Sequence, residues 1–319
     1  MSEFQYSVAI RTLGTAGDKY FRTLESLRDQ TIPPQKILVY IAEGYPLPKE
    51  TIGIEEYVYV KKGMVAQRAL PYTEVETEYL LCTDDDVYYP PTAIEDMYRL
   101  MKENKGDVIA PDPFPHDKLP LKIKIAMILL LSSIPWIFNK KNGYGISWWG
   151  GQRYRNKVKK NVYESTTNAG MCFLCKKEDF LSIHLEDELW MDNNIPWAIG
   201  DDQVIFYKMY LNGLKVLTWY NSGIVHLDAA ASIKFITKEK AKIQTFCLSY
   251  FKTAFWLKFI YNRANKPKKL FLKSSLFLMR FYTLTVSSLY NILRLRPLMI
   301  YYGIKGSRQA KKDFKQEKI

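Results

Sequence analysis

The 319 residues are 47% hydrophobic and 14% aromatic, ample material for a buried core, which excludes a disordered chain. The formal charge of +13 is unevenly spread: from 231 to 319 twenty Lys and Arg meet three acids, leaving +17, while the rest carries −4. Four cysteines make no disulfide framework in a chain this long, and Cys172 and Cys175, a C-x-x-C pair without a second pair at zinc-ribbon spacing, read as half-buried thiols on a strand.

Met1 to Tyr6 is polar and passes directly into a strand-like segment, so the expected setting is the cytoplasmic side. Tyr6 to Ile10 reads as a strand, and Asp18 as the cap of a helix with Tyr20, Phe21, Leu24 and Leu27 on one face. Lys36 to Ala42 and Tyr57 to Val60 are further strands, and Met64 to Leu70 reads as helical. Tyr79 to Cys82 is a buried strand running into Asp84, Asp85 and Asp86. Pro90 and Pro91 open a helix with Ile94, Met97, Tyr98 and Met101 on a shared face, and Val108 to Ala110 closes the series. Strands alternating with helices predict an α/β fold with a mostly parallel sheet, whose ligands lie beyond the carboxyl ends of its strands.

From Pro111 to Asn161 the alternation breaks. Ile125 to Phe138 is an uncharged apolar run between Lys122 and Lys124 on one side and Lys140 and Lys141 on the other. A bilayer needs about 20 apolar residues, so this run reads as a buried core helix or as an interfacial one. Gly200-Asp201-Asp202-Gln203 leads into a helical pattern ended by Gly213, Lys215 to Trp219 reads as a strand, and His226 ends another. Phe246 to Tyr302 mixes aromatic and basic residues and predicts two or three basic amphipathic helices, lying on a membrane or, as the alternative, packed on the preceding domain with a solvated basic face. Lys305 to Lys318 reads as a frayed polar tail.

Three acids in a row after a buried strand are costly unless a cation sits among them, and a divalent metal shared with a diphosphate supplies one. Strand then Asp84-Asp85-Asp86, Gly200-Asp201-Asp202 then helix, Gly213 and strand, and finally Val225-His226 resembles, in that order, family 2 of the nucleotide-sugar glycosyltransferases, with a GT-A fold. The resemblance covers residues 5 to 230, helped by Arg11-Thr12, by the stretch from Thr23 to Thr31, by Pro90 to Glu95, and by Thr167-Asn168-Ala169-Gly170. It implies that Thr12 lines the nucleotide pocket, Glu43 contacts the base, and Arg68 sits near base and phosphates. It implies that Asp84 and Asp85 face the ribose and metal, and that Asp86 is the principal ligand of Mn²⁺ or Mg²⁺, with His226 on the same cation. Asp202 would be the general base of an inverting transfer and Asp201 its acidic neighbour.

The chain departs from that family at Arg11, where proline is usual, and at Ala42-Glu43, where paired aspartates are usual. The nucleotide is therefore open, with a uridine diphosphate sugar as the default. Gln152-Arg153-Tyr154-Arg155 echoes the Gln-x-x-Arg-Trp of processive synthases but precedes Asp202 and lacks the tryptophan, so transfer of a single sugar is expected. Trp148, Trp149 and Gly150-Gly151 form an acceptor loop or simply pack.

The organisation expected is a GT-A catalytic domain over 1–230, with an apolar insertion at about 114–160, and a basic helical membrane-associating extension over 231–319. The expected partners are a nucleotide-sugar donor, a glycan or lipid-linked acceptor and an anionic membrane surface. Abundant Leu, Ile and Phe among the basic residues fit lipid and not nucleic acid. Bacterial surface polysaccharide or glycolipid assembly is the setting such enzymes suggest. The alternatives are a nucleotidyltransferase on the same sheet, or a membrane-docked sugar-nucleotide-binding protein without turnover.

Overall fold

A computed structural model describes residues 4–112, 120–136, 139, 141–168, 170–196, 199–227, 237–293 and 296–314. The first part runs β1 (Tyr6–Thr12), α1 (Asp18–Arg28), β2 (Ile37–Ala42), β3 (Glu55–Val60), β4 (Tyr79–Asp84), β5 (Val87–Tyr88), α2 (Ala93–Glu103) and β6 (Val108–Pro111). The middle follows with α3 (Leu121–Leu129), β7 (Ser133–Pro135), β8 (Gly145–Ile146), β9 (Gln152–Tyr154), β10 (Val162–Ser165) and β11 (Cys172–Lys176). Next come α4 (Lys177–Leu181), α5 (Trp190–Asn194), α6 (Asp201–Leu211), β12 (Val216–Trp219) and β13 (Val225–His226). The chain ends in α7 (Lys238–Phe255), which continues as a π turn over Trp256–Tyr261, then α8 (Lys266–Leu293) and α9 (Leu298–Phe314).

Eight strands form one sheet in the order β10-β12-β6-β11-β4-β1-β2-β3. The pairs β1–β2, β1–β4, β2–β3 and β6–β12 are parallel, while β11 runs antiparallel between β4 and β6. This mostly parallel sheet flanked by helices is the architecture that the family resemblance implied. Side chains alternate across it. Val8, Ile10, Ile37, Val39 and Ile41 pack on α1 and α2, whereas Ala9, Leu38, Tyr40, Leu80 and Cys82 meet α6, α7 and α9. Cys172 and Cys175 fall on opposite faces of the sheet, both fully buried, so the pair shares neither a disulfide nor a metal.

The structure corrects several local expectations. Gly17, at φ 59°, caps α1, and Asp18 is instead its first residue, where its charge meets the positive helix end. Residues 64–70 form turns and not a helix: Pro71 disfavours helical backbone at Leu70, and Asp192 takes the N–H groups of Val65 and Ala66. The apolar run of 125–138 is neither one helix nor core. Helix α3 ends at Leu129, Leu131 turns at φ 50°, and β7 follows; no residue of α3 is buried, and Ile137 and Phe138 lie outside the described residues.

Past residue 237 the largest correction concerns what the helices face. Cys247, Tyr250, Phe251, Ala254 and Phe255 of α7, with Ala310 and Phe314 of α9, belong to the same buried cluster as the sheet. Two of these three helices therefore complete the core with one face. The stretch from Lys305, expected to fray, is helical through Phe314, and residues 315–318 lie outside the described residues. Helix α8 is different. It turns Leu270, Phe271, Phe277, Leu278 and Phe281 outward, each at least 60% exposed. Among the described residues no helix is long and apolar enough to cross a membrane.

Candidate active site

The carboxyl ends of β1, β2 and β4 lie side by side, because Thr12 pairs with Ile41 and Arg11 with Asp84 in the parallel register. That register sets the first contact of the site: Arg11 Nε donates to Asp84 Oδ1 at 2.6 Å. Arg68 enters from the turn that Asp192 holds. Its Nη2 donates to the same Asp84 Oδ1 at 3.0 Å and to the Gly170 carbonyl at 3.1 Å. Its Nη1 donates to Asp201 at 2.5 Å and to Asp202 at 2.9 Å, and Arg11 Nη1 reaches Asp201 at 3.3 Å. Two guanidinium groups thus tie the end of β4 to the start of α6.

Glycines allow this closeness. Gly200, at φ 84°, turns the chain into α6, and a Cβ there would meet the Phe251 ring at 2.2 Å. A Cβ on Gly170 would lie 2.1 Å from Asp202 Oδ1, so only glycine lets that backbone pass beside the carboxylate. The N-terminus of α6 adds a positive potential at Asp201 and Asp202.

The charges divide the acids into different states. Burial would raise Asp84, but Arg11 and Arg68 overcome it and hold its carboxyl below the ordinary value. Burial would lower both arginines, yet Asp84 and Asp201 keep each above its ordinary value. Asp202 moves the other way: withdrawal from solvent, then the adjacent Asp201 charge, raise it despite Arg68. Its side chain is still 37% exposed to the cleft, against 9% for Asp201. Thr12 Oγ1 donates to Asp85 at 2.5 Å and accepts the Gly14 N–H at 2.8 Å. Burial pushes Asp85 up to about 6 against that hydrogen bond, with the charges of Asp86 and Asp84 adding to the rise.

His226 arrives by a separate route. Strand β13 pairs with β5, placing His226 opposite Val87, and the Leu227 N–H donates to the Asp86 carbonyl at 2.8 Å. His226 Nε2 then lies 3.2 Å from Asp86 Oδ1. One ligand atom each of Asp84, Asp86 and His226 falls within 4.8 Å of the others. Two carboxylates and an imidazole are a donor set that fits Mn²⁺ or Mg²⁺, with positions left for phosphate oxygens.

The structure therefore brings together Thr12, Arg68, Asp84, Asp85, Asp86, Asp201, Asp202 and His226. Glu43 stands apart from that network, exposed just past the end of β2 on the same edge of the sheet. Of the stretch Thr167 to Gly170, Thr167, Asn168 and Gly170 are buried, the Gly170 carbonyl accepts from Arg68, and Ala169 lies outside the described residues. Sequence reasoning gave Arg11 no role in the site, using it only as part of the Arg11-Thr12 strand end and as a departure from the family. Its signal was a single cation at the end of an apolar strand. It also missed Asp192, which fixes the turn that aims Arg68.

No family model and no curated protein matches the chain. Among solved structures it is similar to GalNAc-T7 with UDP, GalNAc and Mn²⁺, at 13% identity and a TM-score of 0.49, covering 92% of this chain and 59% of that one. The chain thus spans under two thirds of that protein's length. It is also similar to the mannosyltransferase PcManGT from Pyrobaculum calidifontis in complex with GDP-Man and Mn²⁺, at 13% identity and a TM-score of 0.47, covering 98% of this chain and 88% of that one. Likenesses this distant leave the function to be read from the site itself.

Proposed function

We propose that the protein is an inverting, metal-dependent glycosyltransferase that moves one sugar from a nucleoside diphosphate sugar, by default a uridine one, to a glycan or lipid-linked acceptor. The observation that carries this reading is the reach of one side chain. Arg68 bonds Asp84, a member of the Asp84–Asp86–His226 group, and Asp202 with the same guanidinium. A cation site and a carboxylate base separated by a single guanidinium suit a diphosphate and its sugar lying between them. Asp84, Asp86 and His226 would hold Mn²⁺ or Mg²⁺, which when bound neutralises charge on the leaving diphosphate. Asp202 accepts the proton of the acceptor hydroxyl as its oxygen attacks the anomeric carbon opposite the leaving group. Arg11 and Arg68 hold Asp201 so that the more exposed Asp202 faces the cleft. Thr12 and Asp85 line the nucleoside side, with Glu43 at its rim.

The test is a panel of nucleotide sugars with Mn²⁺, scoring nucleoside diphosphate release and the anomeric configuration of the product. A retained configuration would overturn the inverting assignment. Pyrophosphate release from nucleoside triphosphates, with no sugar transfer, would favour a nucleotidyltransferase instead.

The membrane part of the proposal rests on α8 and α3. Their outward apolar faces, beside a segment with a +17 balance, suit a peripheral protein on an anionic surface, and we place it on the cytoplasmic face. Full-length protein should sediment with anionic vesicles and be partly released by high salt. The double variant Phe277→Ser and Phe281→Ser, at positions 71% and 68% exposed, should still fold. Each lost phenyl group removes about 1.5–3 kcal/mol of burial if it inserts fully, so vesicle binding should fall at least about tenfold. Equal binding to neutral and anionic vesicles would remove the electrostatic part of the reading.

A further inference from the structure

Helices α7, α8 and α9 and the loop at Gly150-Gly151 enclose an open cavity of about 480 Å³. Helix α8 contributes Leu276, Arg280, Thr283, Ser287 and Asn291 to it, a stripe at three- and four-residue spacing on the face next to its exposed Phe277 and Phe281. The remaining walls are mainly apolar, from Leu130 and Leu131 to Met299 and Ile304. Lys252, Arg280, Arg308 and Lys311 all line it, and none of the described lining residues is acidic.

Polar groups of all three helices meet at one point. Arg280 Nη2 donates to Thr253 Oγ1 at 3.3 Å, and the Thr253 and Ser307 hydroxyls lie 3.0 Å apart. Lys252 and Arg308 adjoin these two hydroxyl residues in sequence. Withdrawal from solvent lowers the pKa of both Lys252 and Arg280. The Lys252 side chain is still exposed to solvent through the open cavity. Four basic side chains, with no acidic one among the described lining residues, give the cavity a positive potential that suits an anion.

We propose that this cavity binds the phosphate head of a lipid, held by Lys252, Arg280, Arg308 and Lys311, with the hydrocarbon chain along the apolar walls. The proposal deepens the lipid-partner reading and rests on it for the source of the ligand. Charge and chain together select the occupant: a free anion makes no use of the apolar walls, and a neutral lipid makes no use of the basic lining. The cavity also adjoins the catalytic cleft. Its Gly150-Gly151 wall leads directly into β9, where Gln152 donates to Gln203 at 3.2 Å, one residue beyond Asp202.

The test is calorimetric titration of the full chain with dodecyl phosphate below its micelle concentration, without donor or metal, so a failed glycosyltransferase assignment leaves the result intact. Saturable binding is expected, with inorganic phosphate and dodecyl maltoside each at least about tenfold weaker. Lys252→Gln, at a solvent-open position, should weaken dodecyl phosphate about tenfold, the loss expected of one charge-assisted contact. Arg280→Lys keeps the charge and should retain most of the binding, with an unchanged thermal midpoint reporting intact packing. Equal binding of dodecyl maltoside would overturn the proposal by making the groove merely apolar. Equal binding of inorganic phosphate would overturn it by making the site one for free anions, and unaltered affinity in Lys252→Gln would remove the cations from it.

Discussion

Asp202→Asn should leave donor binding nearly unchanged and lower the transfer rate about 10²–10⁴-fold, the range for losing a positioned general base. The amide keeps the side-chain shape and can still accept from Arg68, which donates to Asp202 Oδ1 at 2.9 Å. What it loses is the lone pair that takes the proton. Asp201→Asn should act differently. Asp201 receives both Arg68, at 2.5 Å, and Arg11, at 3.3 Å, so its loss loosens two guanidinium groups and should impair donor binding along with rate. Single-turnover rates and donor affinities for both variants separate these cases. If Asp201→Asn gives the pure rate defect and Asp202→Asn does not, the base is the other carboxylate. Because burial and the Asp201 charge raise Asp202, the acid limb of the wild-type rate profile should lie above the pH of an ordinary aspartate. A base must be deprotonated, so activity should be lost as pH falls through that raised value.

Periodicity made the sheet legible and contact order did not. Strands such as Ile37–Ala42, and β4 over Tyr79 to Cys82, are continuous apolar runs, buried on both faces, and such runs announce themselves in a sequence. The acids after β4 and at the start of α6 were legible for the same reason, since each follows a clear element boundary. Arg11 was not, because its meaning comes from register: only when β1 lies beside β4 does it pair with Asp84. The turn at 64–70 has helical spacing, but Asp192, more than a hundred residues on, captures its N–H groups. For the C-terminal helices composition left the partner open. Basic residues sit beside Phe and Tyr in α7 and α8 alike, yet α7 packs on the sheet and α8 turns phenyl rings outward. Local composition gives both helices an apolar face without saying which neighbour it meets.

Removing divalent cations should abolish transfer, and Asp86→Ala should do so in a way that added Mn²⁺ cannot reverse. The three candidate ligands are unequal. Both arginines donate to Asp84 Oδ1, at 2.6 and 3.0 Å, so part of its capacity as an acceptor is already engaged. Asp86 has His226 Nε2 at 3.2 Å and lies on the chain between β4 and the β5–β13 ribbon that delivers the histidine. It is therefore the carboxylate best placed to join the two halves of a cation site. Metal stabilisation of a leaving diphosphate is worth several kcal/mol, and each 1.36 kcal/mol is a factor of ten in rate, so a loss of roughly 10³-fold or more is expected. Nucleotide affinity should fall with it, because a cation held by Asp84, Asp86 and His226 would also attract the diphosphate, whereas an Asp202 variant should keep that affinity. His226→Gln should be intermediate, removing one ligand while both carboxylates remain. Calorimetric titration of Mn²⁺ and of uridine diphosphate into the three proteins reads these effects apart from turnover. Full activity of the wild-type chain in excess chelator would dissolve the metal assignment, and with it the role given to His226.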